Sequence, residues 1–274
     1  MGQVTIKPIA GALGAEISGI DLRELNAETT ALISDALIKH QVIFFRDQPL
    51  EPEHLIAVGR LFGPLKAHPA YAHAEYPDVA VLDHSEAKPS KIELWHTDMT
   101  FLEKPPLGSV LHGLITPKGS GDTLWASMYS AWEGLSSAMK DYLEGMSAVH
   151  DFSWGFRESL SEPGGRERLG QAVIDNPPVV HPVVRTHPVT RRKALFVNRL
   201  FTTRLVGVPA REGDAILQFL FDHGCAPEFT CRFQWEPHSV AFWDNRCTQH
   251  RPVNDHGLKR RLLQRVTVEG ERPV

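Results

Sequence analysis

Apolar residues recur three and four positions apart between Glu28 and His40, at Leu32, Ile33, Ala36 and Leu37, which predicts a helix with one buried face. The unbroken run Val42-Ile43-Phe44-Phe45 then reads as a buried strand. Residues 51–62 predict a second helix, with Pro52 in its first turn. Strands are predicted at 79–82 and, after the Pro105-Pro106 break, at 107–114. The loop Gly119-Ser120-Gly121-Asp122 leads into Thr123-Leu124-Trp125, and residues 128–145 follow as one helix carrying Trp132, Leu135, Met139 and Leu143. Residues 153–178 are polar and rich in Gly, Arg and Glu, the pattern of a long insert with one weak helix, placed to serve as a lid. Strands are expected from Val179 to Thr186 and from Ala194 to Val197, around a turn. Ile216, Leu217, Leu220 and Phe221 mark an amphipathic helix over 210–223. Phe229, Cys231, Phe233 and Trp235 alternate as in a half-buried strand, Ser239 to Trp243 is a short buried strand, and a last strand runs from Arg260 to Val268. Many short strands, with helices in the first half and in long insertions, predict a mixed α/β, β-rich fold: a jelly-roll barrel wrapped by helices. No composition shift marks a boundary, so residues 1–274 are expected to form a single domain.

Composition narrows the class. The chain has 274 residues, 42% hydrophobic and 23% charged, the balance of an ordinary globular protein. Its net charge is −4, its pI is about 6.4 and it has no basic tract, which argues against a nucleic-acid partner. No apolar run approaches the roughly 20 residues that span a bilayer. Met1 to Lys7 lacks the apolar core of a signal peptide. Cys225, Cys231 and Cys247 are too few and too irregularly spaced for a disulfide framework or a structural zinc site. The expected setting is a reducing cytoplasm. With 14 histidines in the chain, a lone histidine proves little.

Candidate chemistry centres on Trp95-His96-Thr97-Asp98-Met99-Thr100-Phe101. Two residues apart on an extended strand, His96 and Asp98 point to one side. An imidazole and a carboxylate on one face are two thirds of the facial triad that holds non-haem Fe(II) and leaves positions open. His73-x-Glu75 and His84-x-Glu86 share the spacing, and any such pair alone fits a solvated loop. What separates His96 and Asp98 is the flanking Trp95 and Phe101, which imply burial; a buried Asp needs a partner, and a cation would serve. The distal candidate ligand is His250, in a polar turn after a buried strand, within Trp243-Asp244-Asn245-Arg246-Cys247-Thr248-Gln249-His250. On the last strand Arg261, Leu263 and Arg265 share one face. Two arginines aimed into an apolar barrel are costly unless each meets an anion, either a protein carboxylate or an anionic ligand gripped by the guanidinium fork.

These blocks, with Gly121-Asp122-Thr123-Leu124-Trp125, Gly14 to Gly19, His181 to Pro188, Phe196-Val197-Asn198 and Arg260-Arg261-x-x-x-Arg265, resemble the Fe(II)/2-oxoglutarate-dependent taurine dioxygenase family nearly end to end. The resemblance implies the double-stranded β-helix form of the jelly roll. It implies His96, Asp98 and His250 as Fe(II) ligands at the catalytic centre. Arg261 would hold the distal carboxylate of 2-oxoglutarate with the Thr123 hydroxyl, and O2 would be the second co-substrate. It further implies a small anionic sulfonate, taurine above all, converted to sulfite and aminoacetaldehyde with release of succinate and CO2. Arg265 and His68 match the sulfonate contacts, Tyr71 a neighbouring polar contact, and Met99, Phe101, Phe156 and Phe201 the pocket lining. Family members are commonly dimers or tetramers, so a homo-oligomer is expected. One position departs: taurine enzymes place an asparagine four residues before the first iron ligand, and here Ile92 cannot hydrogen-bond. Dioxygenases of alkyl sulfate esters are therefore the alternative, and those of aryloxyacetates come third. Outside this activity stand a non-catalytic 2-oxoglutarate or sulfonate binding protein and a zinc hydrolase on the same ligands.

Overall fold

The first helix shows how local signals set the frame. In the computed structural model, which describes residues 3–67, 73–85 and 89–274, helix α1 (Ala27–His40) starts at Asn26. The Asn26 side chain accepts from the Thr29 N–H and the Thr29 hydroxyl accepts from the Asn26 N–H, a reciprocal cap that satisfies two end donors. The helix stops at Gln41, whose φ of 67° turns the chain into the left-handed region. Gln41 is buried and pinned there: its amide donates to the Ala12 carbonyl and accepts from the Ser127 hydroxyl. His68, Tyr71 and Glu86 lie outside the described residues.

In chain order the elements are β1 (Thr5–Pro8), β2 (Ala15–Ser18), α1, β3 (Val42–Phe45), α2 (Pro52–Arg60), β4 (Val79–His84), β5 (Gly108–Ile115), β6 (Thr123–Ser127), α3 (Met128–Glu133), α4 (Ser137–Leu143), β7 (Ser147–His150), α5 (Phe152–Gly155), α6 (Arg157–Ser161), α7 (Gly165–Asp175), β8 (Val179–Pro182), β9 (Val184–Thr186), β10 (Lys193–Leu195), β11 (Thr202–Leu205), α8 (Ala210–Gly224), β12 (Thr230–Phe233), β13 (Val240–Asp244), β14 (Thr248–Pro252) and β15 (Arg261–Val268). Seven strands form the main sheet in the order β1-β2-β3-β13-β5-β15-β4, and a three-stranded sheet, β12-β6-β14, shares a core with it. Strand periodicity divides the buried run of β3: Val42 and Phe44 join that inter-sheet core with Trp125, Phe233, Trp243 and Leu263. Ile43 and Phe45 face the other way and pack with Ile33, Leu37, Leu55 and Val58 of α1 and α2. The architecture is thus mixed α/β: these two sheets share the core, with α1 and α2 on the outer face of the larger one, and two smaller sheets, β11-β7-β8 and β10-β9, hold the remaining strands. Among the described residues the strand ladders of the two sheets stay separate rather than closing into one continuous barrel. No helix among the described residues is long and apolar enough to cross a membrane.

Several predicted elements are corrected. The helix expected over 128–145 is two, α3 and α4. The chain breaks at Gly134, where a Cβ would stand 2.8 Å from the Phe229 ring, and Ser136 caps the second helix. The strand expected over 179–186 divides at Val183 into β8 and β9, which pair in different sheets. The insert 153–178 carries most of three helices, not one. Its apolar residues Phe156, Leu160 and Leu169, with Phe152 just before it, pack with Met99, Phe101 and Phe201, so its inner side is a packed wall. His250 lies on a strand, β14, not in a turn. Asp98 lies in a turn, after a single bridge between His96 and His250, not on a regular strand.

Candidate active site

The metal candidates converge because two segments are tied side by side. The His96 N–H donates to the His250 carbonyl at 3.0 Å and the His250 N–H returns the bond to the His96 carbonyl at 2.8 Å. The Thr97 hydroxyl donates to the Thr248 carbonyl. One ligand atom from each of His96, Asp98 and His250 then lies within 4.8 Å of the others, all three residues buried. Asp98 Oδ1 is 3.7 Å from His96 Nε2 and 3.9 Å from His250 Nε2. His96 Nδ1 donates to the Leu94 carbonyl at 2.8 Å, which leaves the Nε2 lone pair facing the centre. Burial, followed by the neighbouring His96, pushes the His250 pKa well down, so its ring stays neutral, the form that binds metals. Burial alone would raise the pKa of Asp98; Arg265, with His250 and His96, overcomes this and holds it well below the usual carboxylate range. Two imidazole nitrogens and one carboxylate converging on one point are the donor set that would hold a non-haem Fe(II).

The two arginines of β15 have different partners. Arg265 Nη1 reaches both Asp98 oxygens, at 3.0 and 2.9 Å, while its Nε is buried without a partner. Arg261 is 4% exposed and forms no ion pair with a carboxylate among the described residues; Asp122 acts on it only at longer range. Its Nε donates to the Gly121 carbonyl at 3.0 Å and its Nη2 to the Thr123 hydroxyl at 3.4 Å. Thr123 Oγ1 also accepts from the Trp235 indole at 3.0 Å, so its own proton remains free to donate. Burial pushes Arg261 down to about 10, the mark of a cation without its anion.

One cavity joins these groups: His96, Asp98, His250, Thr123, Arg261 and Arg265 line it, with Met99, Phe156 and Phe201 as apolar wall. Met99 holds φ at 52°, uncommon for a residue with a side chain, directly after the metal-ligand candidate. Phe101 does not reach the cavity. It is 1% exposed and packs edge-on to Phe152 and Phe201, with ring centroids 4.9 and 5.1 Å away. His68 and Tyr71 fall outside the described residues. The cavity adds residues for which sequence spacing offered no role. Leu200, Leu263 and Trp243 extend the apolar lining. His84 stands opposite Arg261 in the strand register; burial, then Arg261, pushes its pKa down to about 4. Lys91 also lines the cavity, but its charge meets Glu162 of the insert at 2.5 Å. Ile92, flagged for its departure, is in the wall, and Asp98 is the single carboxylate there among the described residues.

A second set, His187, Asp244 and Cys247, also brings ligand atoms within 4.8 Å. Its carboxylate is already filled: Arg246 bonds both Asp244 oxygens at 2.8 Å and His187 Nε2 bonds one at 3.0 Å. His187 Nδ1 accepts from the Val189 and Thr190 N–H groups. This is a closed ion-pair network beneath the β13–β14 turn.

Comparison with known proteins agrees with this geometry. The family model "Taurine catabolism dioxygenase TauD, TfdA family" matches residues 5–267. An alkylsulfatase of Acinetobacter baylyi is 37% identical over 98% of this chain and 86% of its own length. An alpha-ketoglutarate-dependent sulfate ester dioxygenase of Pseudomonas putida is 34% identical over 99% of this chain and 91% of its own. The crystal structure of a putative alpha-ketoglutarate-dependent taurine dioxygenase from Burkholderia xenovorans has a TM-score of 0.85 at 36% identity, covering 99% of this chain and 91% of that one. The chain therefore belongs to the taurine catabolism dioxygenase family and is a 2-oxoglutarate-dependent iron dioxygenase.

Proposed function

We propose that this enzyme oxidises the carbon next to a sulfur oxyanion, on a small substrate with an apolar alkyl body. His96, Asp98 and His250 hold the Fe(II). Arg261 and Thr123 receive the distal carboxylate of 2-oxoglutarate. Arg265, through its unpartnered donors, receives the sulfonate or sulfate, with His68 and Tyr71 as expected helpers. When bound, the iron supplies the oxidising chemistry, and 2-oxoglutarate leaves as succinate and CO2. The chain's own share is to hold the reacting carbon at the open face and to keep water out with Met99, Phe156, Leu200 and Phe201. Hydroxylation at that carbon gives an unstable product that collapses to an aldehyde, with sulfite from a sulfonate or sulfate from a sulfate ester.

The observation that carries the reading is the pairing of a convergent His-Asp-His set with a buried Arg261 that forms no ion pair with a carboxylate among the described residues. A hydrolase on the same ligands would need a general base, and the cavity offers no second carboxylate among the described residues, while its spare histidine, His84, is pushed down to about 4, too weak a base near neutral pH. A binding protein would have no use for an open iron face. Within the class, Ile92 and the absence of a free carboxylate in the described wall leave no described anionic partner for an ammonium, which favours an alkyl sulfonate or sulfate ester over the zwitterion taurine. The alkylsulfatase and sulfate ester dioxygenase relatives point the same way. Taurine is the second reading, favoured by the structural likeness to a taurine dioxygenase. A homo-oligomer, dimer or tetramer, rests on the family resemblance.

The test is a panel of linear alkyl sulfates, alkyl sulfonates, taurine and aryloxyacetates, scored by succinate, with sulfite and sulfate measured in parallel. Substrate-dependent succinate is expected with the alkyl compounds and lost in Asp98→Ala. Turnover unchanged in Asp98→Ala would overturn the site, and activity confined to taurine would overturn the alkyl preference.

A further inference from the structure

We propose that Asn245 is a positioning residue of the metal centre, its side-chain amide clamping the backbone of Asp98 to the turn that leads to His250. The inference rests on reading His96, Asp98 and His250 as the metal ligands. Asn245 follows β13 at the start of the turn into β14 and is 1% exposed. Its Oδ1 accepts from the Asp98 N–H at 2.8 Å. Its Nδ2 donates to the Asp98 carbonyl at 3.0 Å and to the Pro106 carbonyl at 3.2 Å. Its own N–H donates to the Leu107 carbonyl at 2.8 Å. One side chain therefore ties together three segments: the ligand loop, the lead into β5 and the β13–β14 turn.

The need for such a clamp follows from the backbone. The ligand segment pairs with β14 at a single bridge, His96 with His250. The chain then leaves the ladder, with Asp98 in a turn and Met99 left-handed. Among the described residues no strand is opposite Asp98, and both its backbone groups are bonded instead by the Asn245 side chain. Buried peptide groups without partners are costly. Asparagine presents one acceptor and one donor at the right reach, so it stands in for the missing strand. Aspartate lacks the donor, and alanine lacks both.

The consequence falls on the carboxylate. Arg265 draws the Asp98 side chain through both oxygens, and Ser109 touches one at 3.3 Å. Without the backbone clamp, the ion pair with Arg265 governs where Asp98 points. With it, Oδ1 stays within reach of both histidine nitrogens. Thr97 fixes the neighbouring residue to Thr248 independently, so losing Asn245 loosens Asp98 rather than unpairing the segments.

The experiment is a Mn(II) titration of the metal-free full chain, with the free ion followed by its electron paramagnetic resonance signal. Wild type is compared with Asn245→Ala, Asn245→Ser, Asp98→Ala and Val58→Ala, the last a buried residue of α2 away from the centre that controls for lost stability. Both Asn245 variants are expected to bind Mn(II) roughly ten- to a hundredfold more weakly, with a bound-metal spectrum broadened by the looser ligand field. Val58→Ala should keep the wild-type affinity and spectrum. Serine retains a polar group and guards against failure of the alanine variant to fold. If Asn245→Ser and Asn245→Ala bind as tightly as Val58→Ala while Asp98→Ala loses the metal, the clamp is refuted and the metal site stands. If Asp98→Ala binds like wild type, the metal reading fails and the clamp with it.

Discussion

Replacing Arg261 with methionine should stabilise the metal-free protein and abolish its response to 2-oxoglutarate. The guanidinium is buried without an ion-paired carboxylate among the described residues, and burial, offset in part by Asp122, lowers its pKa from 12.5 to about 10. At about 1.4 kcal/mol per pKa unit, the charged form costs the empty fold roughly 3 kcal/mol. The sign is that of a cation whose pKa is lower in the folded state. The penalty applies in full below about 10 and fades as pH rises toward 12.5. Methionine keeps the stem and removes the charge. It also leaves the Gly121 carbonyl without its 3.0 Å donor, a loss of about 1–3 kcal/mol. The expected net gain is about 0–2 kcal/mol, and Tm should rise by about 2–4 °C per kcal/mol for a chain of this size. Differential scanning calorimetry under anaerobic conditions, with and without 2-oxoglutarate, reads both effects. The wild-type Tm should climb with 2-oxoglutarate by mass action, and that of the variant should not. A variant that melts below wild type, or still climbs with 2-oxoglutarate, would refute the reasoning.

Three further outcomes follow from the packing. Gly155→Ala places a Cβ 2.3 Å from the Phe201 ring; overpacking should cost about 1–3 kcal/mol in urea unfolding and raise the KM of an alkyl substrate, and a silent substitution would show that Phe201 is free to move. Arg246→Met strands the buried Asp244 carboxylate and should cost about 3–5 kcal/mol, read as a lower urea midpoint with an unchanged slope. Burial pushes the His112 pKa down to about 4, so the ring stays neutral in the fold while the unfolded chain takes up a proton near 6.5. Stability is thus complete above pH 6.5 and falls toward pH 4, and His112→Leu should flatten that part of the profile; an unchanged slope would place the acid sensitivity elsewhere.

Legibility differed by level. Helices α1, α2 and α8 could be read from apolar spacing because each buries one face on the body of the protein. The predicted helix over 128–145 failed because spacing does not register the Phe229 ring, which fits only against a glycine at 134. The insert looked polar because its outer residues dominate the count, whereas a few positions, Phe156, Leu160 and Leu169, do the packing. Phe101 and Phe201 are alike in sequence terms, yet one supports the wall and the other lines the cavity. Asn245 was in view within a quoted block, but nothing in its spacing announced that its amide would replace a strand.

By itself the sequence determined the chemistry. Residue types limit which donors, acceptors and cations exist, and His96, Asp98, His250, Arg261 and Arg265 in that order with that spacing leave few alternatives. Only the tertiary structure decided how those groups divide their work. Arg265 pairs with Asp98 and Arg261 with no carboxylate among the described residues, because partner choice depends on distances across separate strands. It also decided that the Asn245 amide bonds the Asp98 backbone and that Ile92 lies in the cavity wall. Those contacts join residues up to 167 positions apart, and local patterns along a chain carry no information about which distant groups will meet once the apolar faces are buried.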